Sequence, residues 1–146
     1  MKRYALFLMA AIATGPAIAA DAPYSLEARA PVVVDTRLLP ACDSPGIFRR
    51  IASGFAHKER EYWDSNLTLT SFESPVEIGY RPWGLEFIPR RFCQTRAMVS
   101  DGTVHEVYYS VGHNTGTLGI VNGVEWCVTG YDRNLAYAPG CRMAAP

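Results

Sequence analysis

The stretch Phe92-Cys93-Gln94-Thr95-Arg96-Ala97-Met98-Val99, then Ser100-Asp101-Gly102, then Thr103-Val104-His105-Glu106-Val107-Tyr108-Tyr109-Ser110-Val111 is two alternating runs around a turn signal. Alternation sends successive side chains to opposite faces of a strand, so the stretch predicts an antiparallel hairpin. Charge sets its register. A two-residue Asp101-Gly102 turn places Ala97 opposite Glu106 and Arg96 opposite Val107, mixing charge into both faces. A three-residue turn with Gly102 left-handed places Arg96 opposite Glu106, a favourable cross-strand pair. One face then collects Cys93, Thr95, Ala97, Val99, His105, Val107, Tyr109 and Val111; the other collects Gln94, Arg96, Met98, Glu106, Tyr108 and Ser110. A one-residue slip exchanges the faces, so the second register is preferred and its first group is expected beneath a helix.

Upstream, Ser44 and Pro45 supply an N-cap and a first-turn proline, and apolar residues recur at Ile47, Phe48, Ile51, Ala52, Phe55, Tyr62 and Trp63. The spacing predicts an amphipathic helix from about Pro45 to Tyr62, with Arg49, Arg50, Ser53, His57, Arg60 and Glu61 on its wet side. Period two resumes at Leu67 and Leu69 and again at Val76, Ile78 and Tyr80, predicting strands. Pro82, Trp83, Gly84 and Pro89 make residues 81–91 a structured loop or irregular edge. Leu118 to Thr129 reads as strand, with Asn122-Gly123 as either a hairpin turn or a bulge. The tail from Tyr131 to Cys141 is irregular and needs a staple. The fold class is therefore α+β: one N-terminal amphipathic helix packed on an antiparallel meander sheet of about four strands.

The chain of 146 residues opens with Lys2 and Arg3, an apolar run from Tyr4 to Ala13, Gly15-Pro16 and the small residues Ala17-Ile18-Ala19-Ala20. This order is that of a cleavable signal peptide over residues 1–20, cut near Ala19 or Ala20, and the run is too short to span a bilayer, which takes about 20 residues. Residues 21–41, with Pro23, Pro31, Pro40 and the short run Val32-Val33-Val34, read as an extended lead-in, and residues 42–146 as a single domain. Loss of Lys2 and Arg3 leaves 12 basic against 14 acidic residues. A slightly acidic chain is a poor general binder of nucleic acid or anionic membrane. Secretion or a periplasmic location is the expectation, with no membrane anchor after cleavage.

Cys42, Cys93, Cys127 and Cys141 all lie in the mature part, and an even count in a small exported domain reads as two disulfides. No pair has the close spacing of a zinc site. On the fold sketched above, the helix and the strand starting at Cys93 run the same way, so Cys42 and Cys93 meet at one end. Cys93 and Cys127 would sit two strands apart, beyond the roughly 7 Å between Cα atoms that a disulfide tolerates. Cys42–Cys93 and Cys127–Cys141 are the favoured pairs.

Arg90-Arg91-Phe92-Cys93, Val107-Tyr108-Tyr109, Val124-Glu125-Trp126-Cys127-Val128, Tyr131-Asp132-Arg133 and Ala136-Tyr137-Ala138-Pro139-Gly140-Cys141 together resemble a group of small exported four-cysteine proteobacterial proteins of unknown function. The resemblance covers roughly residues 42 to 142. It implies export and the four-cysteine framework, and carries no chemistry.

Catalytic patterns are sparse. His57 and Glu61 lie four apart on a helix face without the further ligands of a metalloprotease motif; His105-Glu106 is followed by Tyr109 where a second histidine would be needed. His113, in a glycine-flanked loop, is expected to be the most exposed of the three. There is no nucleophile elbow and no phosphate-binding glycine loop, and no cofactor or resident metal is expected. What stands out is aromatic content, above all Tyr80-Arg81-Pro82-Trp83, since aromatic rings beside arginine suit binding surfaces. Two function classes follow. One is a non-enzymatic binding or accessory module for an envelope protein or small ligand, acting through Tyr80, Arg81, Trp83 and His113. The other is a small hydrolase or metal-dependent enzyme using His113 with Asp132 or Glu125.

Overall fold

The structure is a computed structural model that describes residues 39–82 and 88–146. The expected signal peptide, almost all of the expected lead-in, and Trp83 lie outside the described residues.

Helix α1 runs Pro45–Trp63. Pro45 occupies the first turn, where its missing N–H costs no intrahelical bond. The buried stripe is Ile47, Ile51, Phe55 and Glu59, one residue every fourth position. Three of these carry the apolar pattern; the fourth is a carboxylate that the pattern did not foretell. Tyr62, expected on that stripe, is 67% exposed, because Glu59 and then half-buried Trp63 continue the inward line. The helix stops where Asp64 turns left-handed at φ 47° and donates its N–H to the Glu59 carbonyl.

Four strands follow, β1 (Leu69–Arg81), β2 (Arg90–Val99), β3 (Val104–Gly112) and β4 (Gly123–Val128), in the order β1-β2-β3-β4 with every neighbour antiparallel. The central hairpin has the expected register: Arg96 pairs with Glu106, and Gly102 is left-handed at φ 86°. Its turn is closed by Gly102 N–H to Val99 O at 2.9 Å and Val99 N–H to Thr103 O at 2.8 Å. Cys93, Thr95, Ala97, Val99, Val107, Tyr109 and Val111 are all buried beneath α1 together with its apolar stripe. His105, at the end of that row, is half-buried, with Nε2 2.9 Å from Thr103 Oγ1 and its ring edge-on to Tyr131.

The stretch after β3 departs from expectation. Leu118 to Thr129 is not one strand, and Asn122-Gly123 is neither hairpin turn nor bulge: Gly123 is the first residue of β4. Thr117–Gly119 is a short 3-10 turn with Leu118 left-handed at φ 56°, and Gly116 N–H donates to Val121 O at 2.8 Å. That closed loop breaks the alternation before β4 begins.

Both expected disulfides are present, Cys42–Cys93 with Cα atoms 5.8 Å apart and Cys127–Cys141 with 5.6 Å. The first ties the segment before α1 to β2. There the Tyr109 hydroxyl, fully buried, donates to the Cys42 carbonyl at 2.7 Å, and burial above all pushes that phenol well above its usual pKa. The second staples the tail over the opposite sheet face, where Cys127, Cys141 and Ala144 form a small cluster with Tyr108 and Tyr137. The tail ends beside β1: a Cβ on Gly79 would stand 2.9 Å from Pro146 Cγ. The sheet is thus covered by a helix on one face and an irregular tail on the other. No described helix is long and apolar enough to cross a membrane.

Candidate functional site

The pairings place several loops at one end of the sheet. Tyr80, Arg91, Val111 and Val124 form one row across the four strands, and Arg81, Arg90, Gly112 and Gly123 form the next. His113 follows directly and donates its backbone N–H to Pro89 O at 2.9 Å. Tyr80, Arg81 and His113 therefore share the end of the sheet that carries the β1–β2 and β3–β4 connections, while Trp83 lies outside the described residues.

Of the three, Arg81 is exposed, whereas Tyr80 and His113 are half-buried. Tyr80 is half-buried against the main core, with the Arg91 guanidinium 5.8 Å from its ring and Arg91 itself bonded to Glu77 at 2.8 Å. The Arg81 guanidinium lies 5.5 Å from the Phe92 ring. His113 is half-buried and His57 is exposed, so His113 is not the most exposed histidine. Its two candidate carboxylates are held by other groups. Glu125 pairs with Arg90, and Asp132 accepts the backbone N–H groups of Ala136 at 3.1 Å and Tyr137 at 2.8 Å. Among the described residues no group of three or more His, Cys, Asp or Glu side chains is disposed to hold a metal ion.

A concavity lies beside these residues, between α1 and β4. It has a volume of about 480 Å³ and is walled by Arg50 on the helix, Thr115–Thr117 and Val121 on the loop, and Gly123–Trp126 on the strand. Two glycines make its inner end possible, since a Cβ on Gly112 or Gly123 would collide with the Thr115 side chain. Arg50 Nη1 donates to Asn122 O at 2.6 Å, and the Asn122 side chain accepts Asn114 N–H at 3.2 Å, which fixes the loop against the helix. A smaller hollow of about 210 Å³, lined by Pro40, Ile47, Val111 and Val124 among others, adjoins it through Arg50 and Val124.

Above the cleft the loop presents apolar side chains to solvent: Leu118 is 88% exposed, Ile120 72% and Val121 41%. The sequence reading assigned these residues to a strand and so missed them. The usable signal was Gly116 and Gly119 around Leu118, glycines that permit a tight loop but are read just as easily as interruptions of a strand.

A second polar constellation joins α1 to the tail. Glu59, 1% exposed, accepts from Arg133 Nη2 at 3.0 Å, and the guanidinium lies 5.1 Å from the Trp63 ring and 5.6 Å from Tyr131. It locks the tail to the helix. No protein-family model, curated protein or solved structure matches the chain.

Proposed function

We propose that this chain is a secreted or periplasmic, non-enzymatic binding or accessory module whose contact surface is the β3–β4 loop and the cleft below it. The observation that carries the reading is Leu118. A bulky apolar residue held left-handed at φ 56° and 88% exposed costs free energy, about 1 kcal/mol or more for the backbone alone, and contributes nothing to the core. Strain of that kind recurs at ligand-contacting positions, and Ile120 and Val121 extend the apolar tip toward the cleft. Two disulfides support a life in an oxidising compartment, and the leader-like first twenty residues supply the route. Export and kinship with the exported four-cysteine group are part of the same proposal.

The test is photo-crosslinking in the producing cell, with benzoylphenylalanine in place of Leu118 or, as a control, of exposed Ser53 on the outer face of α1. Adducts specific to position 118 are expected. Equal adducts from both positions, or none from 118, overturn the reading. The same samples give the mature N-terminus: a chain that still begins at Met1 overturns the exported location.

A further inference from the structure

We infer that the cleft between α1 and β4 receives an extended acidic polypeptide segment, which adds to the open edge of β4 as a fifth strand with its carboxylates against Arg50 and Lys58. The inference rests on the binding-module reading above and names the partner's chemistry.

The first support is the edge itself. β4 hydrogen-bonds to β3 on one side, and no described strand lies beyond it. Proteins blunt exposed edges with bulges, prolines or twist, because unpaired N–H and C=O groups template further strands. The other edge, β1, is blunted in this way: its pairing shifts at three places, Ser74 is left-handed at φ 51°, and Pro75 lies within it. β4 pairs with β3 in unbroken register from Gly123 to Val128 and contains no proline. Its first four residues wall the cleft, while Cys127 and Val128 are buried, so the accessible edge is Gly123–Trp126. Peptide addition to such an edge beside a helix draws affinity from main-chain hydrogen bonds and selectivity from alternate side chains.

The second support is charge. The mature chain has a slight acidic excess, yet the exposed and half-exposed charges of α1 are Arg49, Arg50, Lys58, Arg60 and Glu61, a strong local basic excess. Arg50 stands at the start of β4, and Lys58 Nζ lies 5.9 Å from the Trp126 ring, farther along the same strand. Between them Gly54 brings the helix against Trp126, where a Cβ would fall 3.1 Å from the indole. The acid on β4, Glu125, also walls the cleft, but its carboxylate is paired with Arg90. Eight helical residues advance about 12 Å, close to the roughly 13 Å of four strand residues. A strand carrying acids four residues apart therefore matches the spacing of Arg50 and Lys58.

The test uses the disulfide-intact mature protein and a fluorescein-labelled probe of sequence Thr-Thr-Glu-Thr-Val-Thr-Glu-Thr-Thr, read by anisotropy. Saturable binding is expected, with affinity falling about tenfold on Lys58→Glu and further on Arg50→Glu. Because Arg50 also holds the loop, Lys58→Glu is the deciding variant; its helix content is checked by circular dichroism. A probe with lysine in place of both glutamates, and one with alternate backbone amides methylated, should each fail to bind. Amide shifts in a nitrogen–proton spectrum should centre on Val124–Trp126. Equal binding of either control probe, shifts centred on β1, or no binding of the parent probe overturns the inference. Crosslinking from Leu118 without probe binding removes this inference alone, whereas loss of both removes the binding-module reading as well.

Discussion

The two faces of the sheet are covered by different means. Beneath α1, a continuous cluster reaches from Leu39 through Ile47, Ile51 and Phe55 to Val107, Tyr109 and Val128, all nearly free of solvent. Beneath the tail, Cys127, Cys141 and Ala144 form a cluster of three, helped by half-buried Tyr108 and Tyr137. A helix buries a stripe through its own periodicity; an irregular tail has none and is held by point attachments. Those attachments are the Cys127–Cys141 bond, the Arg133–Glu59 pair and the Pro146–Gly79 contact. Stability should therefore reside in packing on one face and in tethers on the other.

The comparison breaks most directly through Phe55. Its ring is 1% exposed and contacts Trp126 and Tyr131 at centroid distances of 6.3 and 5.3 Å. Phe55→Ala should cost about 3–5 kcal/mol through lost burial and the cavity left behind. Urea denaturation followed by circular dichroism measures it. A loss below about 1 kcal/mol would mean that the helix face is not the principal store of stability.

On the tail face, the paired change Cys127→Ser and Cys141→Ser should cost about 3 kcal/mol, the loop-closure estimate for a separation of 14 residues. The sharper readout is hydrogen exchange. Amides of the tail from Gly130 onward should lose protection while those of α1 and β2 keep it. If α1 loses protection equally, the two faces form one cooperative unit and the contrast is wrong.

The same contrast decides what the sequence could reveal. Helix, hairpin register and both disulfides were legible because each rests on periodicity, a charge pair at fixed spacing, or the reach of a cysteine. Arg96 opposite Glu106 chose the register, and the register then named seven residues that are buried. Glu59 was illegible: it sits on the apolar stripe, and Arg133, 74 residues away, makes its burial tolerable. A partner that distant leaves no local trace. The cleft was hidden for a related reason. Leu118, Ile120 and Val121 have strand-like composition, and their loop is held by Arg50 and Asn122, a contact spanning 72 residues. Tyr80 and Arg81 end strand β1, and their neighbours Arg91 and Phe92 come from the next strand, which local sequence does not reveal.

Arg133→Ala tests the tether between the faces. It leaves Glu59 buried without its ion-pair partner. Because Arg133 is itself 33% exposed, the loss is set below that of a fully buried pair, at about 2 kcal/mol. Adding Glu59→Gln to Arg133→Ala should recover part of it, since an amide is cheaper to bury than a carboxylate. A double variant no more stable than Arg133→Ala would show that the tail is held by Arg133 stacking on Trp63 and Tyr131 and not by charge.

The smallest effect is expected where sequence and structure differ most quietly, at the start of α1. Ser44 occupies the N-cap position, but its side chain makes no capping hydrogen bond. Its backbone carbonyl accepts Ile47 N–H at 2.9 Å, and its own N–H donates to Ala41 O at 3.1 Å. Both bonds belong to the main chain and survive a change of side chain. A serine that caps through its hydroxyl typically contributes about 1 kcal/mol, whereas Ser44→Ala here should shift stability by no more than about 0.3 kcal/mol. The start of the helix is instead fixed by Pro45 and by the Cys42–Cys93 bond three residues before it. A Ser44→Ala loss near 1 kcal/mol in urea denaturation would show that the hydroxyl caps in solution, and that the helix face depends on a local tether as the tail face does.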